Sequence, residues 1–265
     1  MRQMLVGLIL VSLGLASPLG AQQGPGEPVR LRLVADRLYE VLGGRGARGG
    51  AYLAEDGTLL LDVKMDEPSV QQMLAEIRKL SDRRVRYLVL THSDGDHVRG
   101  ARFLPEGITV VAHEQCRREL FLPARDGKAS EWTQPEWARL LPALTFRERL
   151  TIHIGARRVE LHHFGVGHTS GDTAVHFPDE RVVFLGDQLF TARPQLIHVA
   201  KGGHSGEHVK TLERMLGALD ATTFLSGHSE PTDRGGIERH IAEIRAKRDR
   251  VRDLAATGTR LPAVQ

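Results

Sequence analysis

THSDGDH, residues 91–97, follows the apolar run Tyr87–Leu90 without a gap. The run reads as a short buried strand. The strand therefore ends on a tight loop carrying His92, Asp94, Asp96 and His97. A loop that tight can aim all four at neighbouring points, and imidazole and carboxylate are donors that metal ions take. The same arrangement recurs three times further along. Gly167-His168-Thr169-Ser170-Gly171-Asp172 comes just past a strand at 158–163, Gly186-Asp187 follows VVFL, and Gly227-His228 follows TFLS. Four strand ends, each offering a histidine or a carboxylate, are what a metal site at one edge of a sheet sandwich requires. The strands fix the ligands, and the loops leave positions open for water and substrate.

On the N-terminal side, LRLVA (31–35), LYEVL (38–42), AYLAE (51–55) and TLLLD (58–62) are strand-like, and Asp56-Gly57 predicts a hairpin over 51–62. Asp66 can cap a helix with Pro68 in its first turn, and Val70, Met73, Leu74, Ile77 and Leu80 recur on one face. On the C-terminal side, strands are expected at 108–112, 149–154, 158–163, 173–177, 181–185 and 221–225. Helices are expected at 113–121, 206–219 and 234–255, the last with Ile237, Ile241, Ile244, Val251 and Leu254 facing in. Residues 122–143, with three prolines, Trp132 and Trp137, read as a long irregular segment of the kind that often serves as a lid, with room for a short helix within it. No linker interrupts 29–258, so this is a single domain of two sheets with helices outside.

The chain has 265 residues, 41% hydrophobic and 26% charged, which suits a packed core and excludes wholesale disorder. Lys+Arg number 36 against 33 Asp+Glu, interspersed, so no basic stripe for nucleic acid forms. Cys116 is the single cysteine, which excludes a disulfide framework and a Cys-rich zinc finger. Thirteen histidines make their spacing the informative feature. Residues 1–21, MRQMLVGLILVSLGLASPLGA, show a basic start, an apolar run and small residues before a cut. That is the pattern of a secretory signal peptide, with cleavage expected after Ala21. The run is too short to span a bilayer comfortably, so no stable membrane insertion is expected after cleavage, and the mature chain is expected in the periplasm or outside the cell. Residues 22–28 read as a flexible leader and 259–265 as a C-terminal tail.

Taken in order, the four clusters resemble the metallo-β-lactamase-fold metallohydrolase superfamily, over about residues 30–255. The resemblance implies an α+β fold, an αββα four-layer sandwich. It implies two divalent metal ions, zinc first. His92 and His168 would bind one, Asp96, His97 and His228 the other, and Asp187 would bridge them. Asp94 departs from the pattern, standing where the second histidine of the motif belongs. A carboxylate can still coordinate, and the di-iron flavoproteins of this superfamily place a Glu there. The exchange removes one unit of positive charge from the first position and favours harder ions such as Fe or Mn. The implied activity is that of an exported hydrolase using a metal-bound hydroxide. It would attack an ester, thioester, lactone or amide bond of a small molecule, with Asp96 and Asp187 orienting the hydroxide. The alternatives are an iron-dependent oxidoreductase resembling the sulfur dioxygenases, a β-lactamase, or a catalytically silent homologue. Asp187 counts against the β-lactamase, since members with that activity generally lack it.

Around these residues, His204 and Tyr52 are expected to touch substrate. The glycine cluster 43–50 reads as a flexible loop overhanging the metals, with Arg45 and Arg48 able to attract an anion. Asp172 is either a partner to a histidine ligand or a turn residue. His113, His153, His162, His163, His176, His198 and His240 lack motif support and read as structural or exposed. No nucleophile elbow surrounds Ser93 or Ser170.

Overall fold

The first sheet follows chain order: β1 (Arg30–Ala35), β2 (Leu38–Leu42), β3 (Gly49–Ala54), β4 (Gly57–Leu61), β5 (Val85–Val89), β6 (Thr109–His113) and β7 (Leu144–Phe146). This computed structural model describes residues 27–124 and 126–257. Neighbours from β1 to β4 are antiparallel, and Ala54 pairs with Gly57 across the expected hairpin. Neighbours from β4 to β7 are parallel, and parallel neighbours need crossovers. The first is α1 (Glu67–Arg78), capped by Asp66, which accepts from Ser69 N, with Val70, Met73, Leu74 and Ile77 buried. Leu80 lies past the helix end and is exposed. The short α2 (Gly95–Val98) holds the second half of the motif, and α3 (Glu114–Glu119) follows β6.

The second sheet holds β8 (Arg149–Ile154), β9 (Arg157–His162), β10 (Ala174–Phe177), β11 (Val182–Phe184) and β12 (Thr223–Leu225), ordered β12-β11-β10-β9-β8. Only β11 and β12 run parallel, linked through α4 (Ser205–Ala218). The last helix is α5 (Arg234–Ala256).

Side-chain alternation sets the layers. Leu59, Leu61, Val89 and Val111 of the first sheet meet Val175, Phe177, Val182 and Phe184 of the second in a central core. Leu60, Leu88 and Val110 point the other way, onto α1 and residues near α3. Ala174 and Val183 point outward from the second sheet onto α4 and α5. The result is the α+β four-layer sandwich.

Two expectations need correction. Where the sequence suggests a lid at 122–143, the described residues instead pack inward: Trp132 and Trp137 sit in short 3-10 turns, buried together against the outer face of the first sheet. Val251 does not face in; it is exposed near the end of α5. The expected signal peptide at 1–21 and tail at 259–265 lie outside the described residues. Among the described residues no helix is long and apolar enough to cross a membrane.

Candidate metal centre

One end of the sandwich gathers the loops after β4, β5, β9, β11 and β12. The first sheet brings His92, Asp94, Asp96 and His97, and the second brings His168, Asp187 and His228. Close approach at this end depends on glycine. A Cβ on Gly227 would lie 2.5 Å from both Asp187 Oδ1 and His97 Cε1. Gly186 has φ +53°, and a Cβ there would meet Thr91 Oγ1 at 2.3 Å.

Two groups of donors form. His92, Asp94, His168 and Asp187 make one, Asp96, His97 and His228 the other, with ligand atoms in each group within 4.8 Å of one another. His168 Nε2 is 3.1 Å from Asp94 Oδ2, His92 Nε2 is 3.6 Å from it, and His228 Nε2 is 3.0 Å from Asp96 Oδ2. Asp187 touches both groups. Its Oδ1 is 3.1 Å from His97 Nε2, and its Oδ2 is 3.4 Å from His228 Nε2 and 3.9 Å from both His92 Nε2 and His168 Nε2. Donors bound at about 2.0–2.1 Å to one tetrahedral ion stand roughly 3.4 Å apart, and these separations bracket that value. His92 Nε2, His97 Nε2 and Asp187 Oδ1 are buried without a hydrogen-bond partner. Each such atom costs about 1–3 kcal/mol, so three together point to a ligand. Imidazole nitrogens with carboxylate oxygens suit a divalent transition ion, and the residues fit one.

The remote nitrogen of the imidazole aims it. His97 Nδ1 donates to Asp62 Oδ2 at 2.7 Å, and Asp62 also accepts from Thr91 N at 2.8 Å and Thr91 Oγ1 at 2.7 Å. Because that hydroxyl gives its proton to Asp62, it accepts from His92 Nδ1 at 3.0 Å. His168 Nδ1 donates to Leu196 O at 2.9 Å. In each case Nδ1 is the tied nitrogen and Nε2 is the one that faces the centre. The sequence does not single out Asp62; its one signal is a carboxylate ending an apolar strand. Also unforeseen are Lys201 and His198, whose Nζ and Nδ1 lie 2.7 and 3.1 Å from Asp94 Oδ1.

Burial would raise the Asp94 carboxyl, but the imidazoles of His168, His198 and His92 facing it hold it well below the usual carboxylate range. Asp187 is lowered too, its burial outweighed by His97. Burial works against protonation of both His97 and His168. Asp187 and Asp62 nevertheless raise His97 well above its ordinary value, and Asp94, Asp172 and Asp187 raise His168 to about 9. A cation entering the centre would displace protons.

The sequence model of the metallo-beta-lactamase superfamily matches residues 50–228, from β3 through His228. The chain belongs to the metallo-beta-lactamase superfamily. It is 26% identical over 208 residues to the 2,4-dinitroanisole O-demethylase subunit alpha of Nocardioides sp. (strain JS1661), covering 76% of this chain. It is 23% identical over 180 residues to the metallo-beta-lactamase type 2 of Bacillus cereus, covering 68% of this chain. The matched regions span 56% and 65% of those relatives' lengths. The structure of a metallo-beta-lactamase from Pontibacter korlensis aligns with a TM-score of 0.67 at 17% identity, over 82% of this chain and 99% of that one. That likeness shows a shared metallo-beta-lactamase fold.

Among the residues expected around this superfamily centre, Tyr52 is the one placed away from it. Tyr52 is buried between the sheets and donates to Glu180 Oε1 at 2.8 Å. Glu180 lies in the turn between β10 and β11, at the opposite end of the sandwich from Asp187. His204 caps α4, accepting from Gly206 N and Glu207 N. Asp172 accepts from Thr169 N and Oγ1, which shapes the turn after His168. The 43–50 loop does border the centre: Ala47 N donates to Asp96 O and Arg48 N to Gly227 O. It is pinned there: the Arg48 side chain donates to Ser229 O and pairs with Glu230, and Arg45 pairs with Asp66. Ser93 and Ser170 donate to Glu119. His162 and His176 share Glu160 on the outer face of the second sheet, where hydrogen bonds account for their grouping.

Proposed function

We propose that the chain is a dinuclear zinc hydrolase that cleaves an ester, thioester, lactone or amide bond of a small molecule. The observation that carries this reading is Asp187, a buried carboxylate within 3.9 Å of imidazoles from both donor groups. His92, Asp94 and His168 would hold one ion, and Asp96, His97 and His228 the other, with Asp187 between them. Divalent ions there would polarise the bond under attack and bring the pKa of water toward neutrality.

The remaining work falls to the chain itself. Asp96 and His228 have the most exposed side chains of the seven, at 34% and 24%, so the centre opens on their side. Substrate enters there, past the rim formed by Ala47 and Arg48. Asp96 orients the attacking water by accepting its hydrogen bond. Asp187, shut away from solvent, holds the two groups in register.

Asp94 favours a second reading. An oxygen donor in place of nitrogen suits a harder ion, as an iron-dependent oxidoreductase on this fold would need. Metal content separates the two, since zinc with no oxygen uptake excludes the oxidoreductase.

The test strips the purified protein of metal and reloads it with Zn2+. It is then assayed on an aryl ester, a thioester, a lactone, an amide, 2,4-dinitroanisole and a chromogenic cephalosporin. Hydrolysis is expected in the ester, thioester, lactone or amide class, lost on metal removal and in Asp187→Ala. Asp187→Ala with two ions and full activity would refute the bridging role. Residues 1–21 support export. The mature protein recovered from the cell envelope or medium should then begin at Gln22, and a retained Met1 would count against it.

A further inference from the structure

Asp94 poses a problem of charge and of shape. It puts an anion with two oxygens where the family motif has one neutral imidazole. The structure separates those oxygens. Oδ2 faces His168 Nε2 at 3.1 Å and His92 Nε2 at 3.6 Å. Oδ1 lies against Lys201 Nζ at 2.7 Å and His198 Nδ1 at 3.1 Å. Lys201 Nζ also donates to Ser93 O at 3.0 Å.

Both side chains come from one 3-10 turn, Val199–Lys201 with His198 at its start. The turn is fastened to the His168 loop. His198 N donates to His168 O at 2.8 Å, and Ser170 N donates to Lys201 O at 2.9 Å. Gly203 runs so close that a Cβ would lie 2.2 Å from His168 O. Asp94, His168, His198 and Lys201 thus form one connected unit.

We propose that Lys201, assisted by His198, is the positioning residue that lets an aspartate serve at this place in the centre. It occupies Oδ1, leaves Oδ2 alone to face an ion, and cancels the added charge. His92, Asp94 and His168 together carry one negative charge; with the Lys201 ammonium they carry none, like three imidazoles. The pair is no ordinary surface ion pair, which would be worth little. The Asp94 side chain is 9% exposed and that of Lys201 22%. Removing the ammonium leaves a buried carboxylate with a second oxygen free to turn. The proposal rests on reading the centre as a metal site.

A double-mutant cycle of Lys201→Met and Asp94→His tests it. The full chains, freed of metal, are titrated with Zn2+ against a chromophoric chelator, and bound ions are counted by native mass spectrometry. A Co2+ absorption spectrum reports the coordination of the first ion. Lys201→Met should weaken the first ion about 10–100-fold and leave the second unchanged, while Lys201→Arg should restore most of the loss. In the Asp94→His background Lys201→Met should instead tighten the first ion, because the ammonium then faces a cation with no carboxylate between them. An equal effect in both backgrounds overturns the proposal, as does an equal loss of both ions or no loss at all. If Lys201→Met does not fold, Lys201→Gln carries the same cycle. A wild-type protein that binds no Zn2+ overturns the metal reading together with this one. Two bound ions with a flat cycle overturn this one alone.

Discussion

Replacing Asp62 with asparagine should weaken the proposed second metal position while preserving the fold. Asp62 is 1% exposed and accepts three hydrogen bonds, two from Thr91 and one from His97 Nδ1. Its φ of 54° is one that asparagine tolerates. The variant keeps an oxygen for Thr91 N but loses the charge that draws the His97 proton onto Nδ1. An amide N–H facing Nδ1 donates to it, and the ring proton moves to Nε2. That atom lies 3.1 Å from Asp187 and faces the second donor group; protonated, it has no lone pair for an ion. Partners of this kind are worth about 10–100-fold in metal affinity, or about 1.4–2.7 kcal/mol. Asp62→Ala goes further, leaving Thr91 N and His97 Nδ1 buried and unpaired, at about 3–5 kcal/mol of stability. Urea unfolding of the metal-free proteins measures the stability, and chelator competition the affinity of each ion. Asp62→Asn with wild-type affinity for the second ion would refute the tautomer reasoning.

Other consequences concern the buried lysine, the protons of the centre and the glycine beside it. Burial lowers Lys64 from 10.5 to about 8, and its Nζ donates to the carbonyls of Val41 and Ala47. The unfolded chain then binds the proton more readily between those values, so stability should rise with pH across the window by up to about 3 kcal/mol. Urea titrations along that range should show the rise, and Lys64→Met should flatten it. His168, raised from 6.5 to about 9, contributes stability to the metal-free protein that is fully present below 6.5 and lost as pH climbs through 9. Metal competes with that proton, so apparent Zn2+ affinity should rise over the same range. Calorimetry in buffers of different ionisation heat should detect the released protons, and a pH-independent affinity would contradict this. Gly227→Ala should abolish binding of the second ion, because its Cβ would fall 2.5 Å from Asp187 Oδ1 and His97 Cε1. Native mass spectrometry counting two ions in that variant would show that the close approach is dispensable.

What the sequence makes legible follows from how locally each feature is encoded. His92 to His97 come from one loop, and glycine beside His168, Asp187 and His228 marks the other strand ends. The layers are readable because strands such as TLLLD and YLVL sit between turn residues and amphipathic helices. Asp62 acts on a residue 35 positions away, and nothing beside it signals a partner. Lys201 reaches Asp94 across 107 positions, through a turn set by tertiary packing rather than by pattern. Tyr52 follows the glycine loop in sequence, but β3 carries it toward the other end of the sandwich. Trp132 and Trp137 lie between prolines with no helical or strand period. Their burial follows from the uncovered outer face of the first sheet, which no local window reveals.

The centre straddles the seam between the two sheets, taking four side chains from one and three from the other. An ion gripped from both sides works as a clasp across layers whose facing surfaces are otherwise apolar. Binding then adds to folding by mass action, about 2.7 kcal/mol when the free ion stands at a hundred times its dissociation constant. A chain with one buried cysteine has no disulfide to do this job. On the metal reading proposed above, its endurance against heat and proteases would be tied to the supply of that ion.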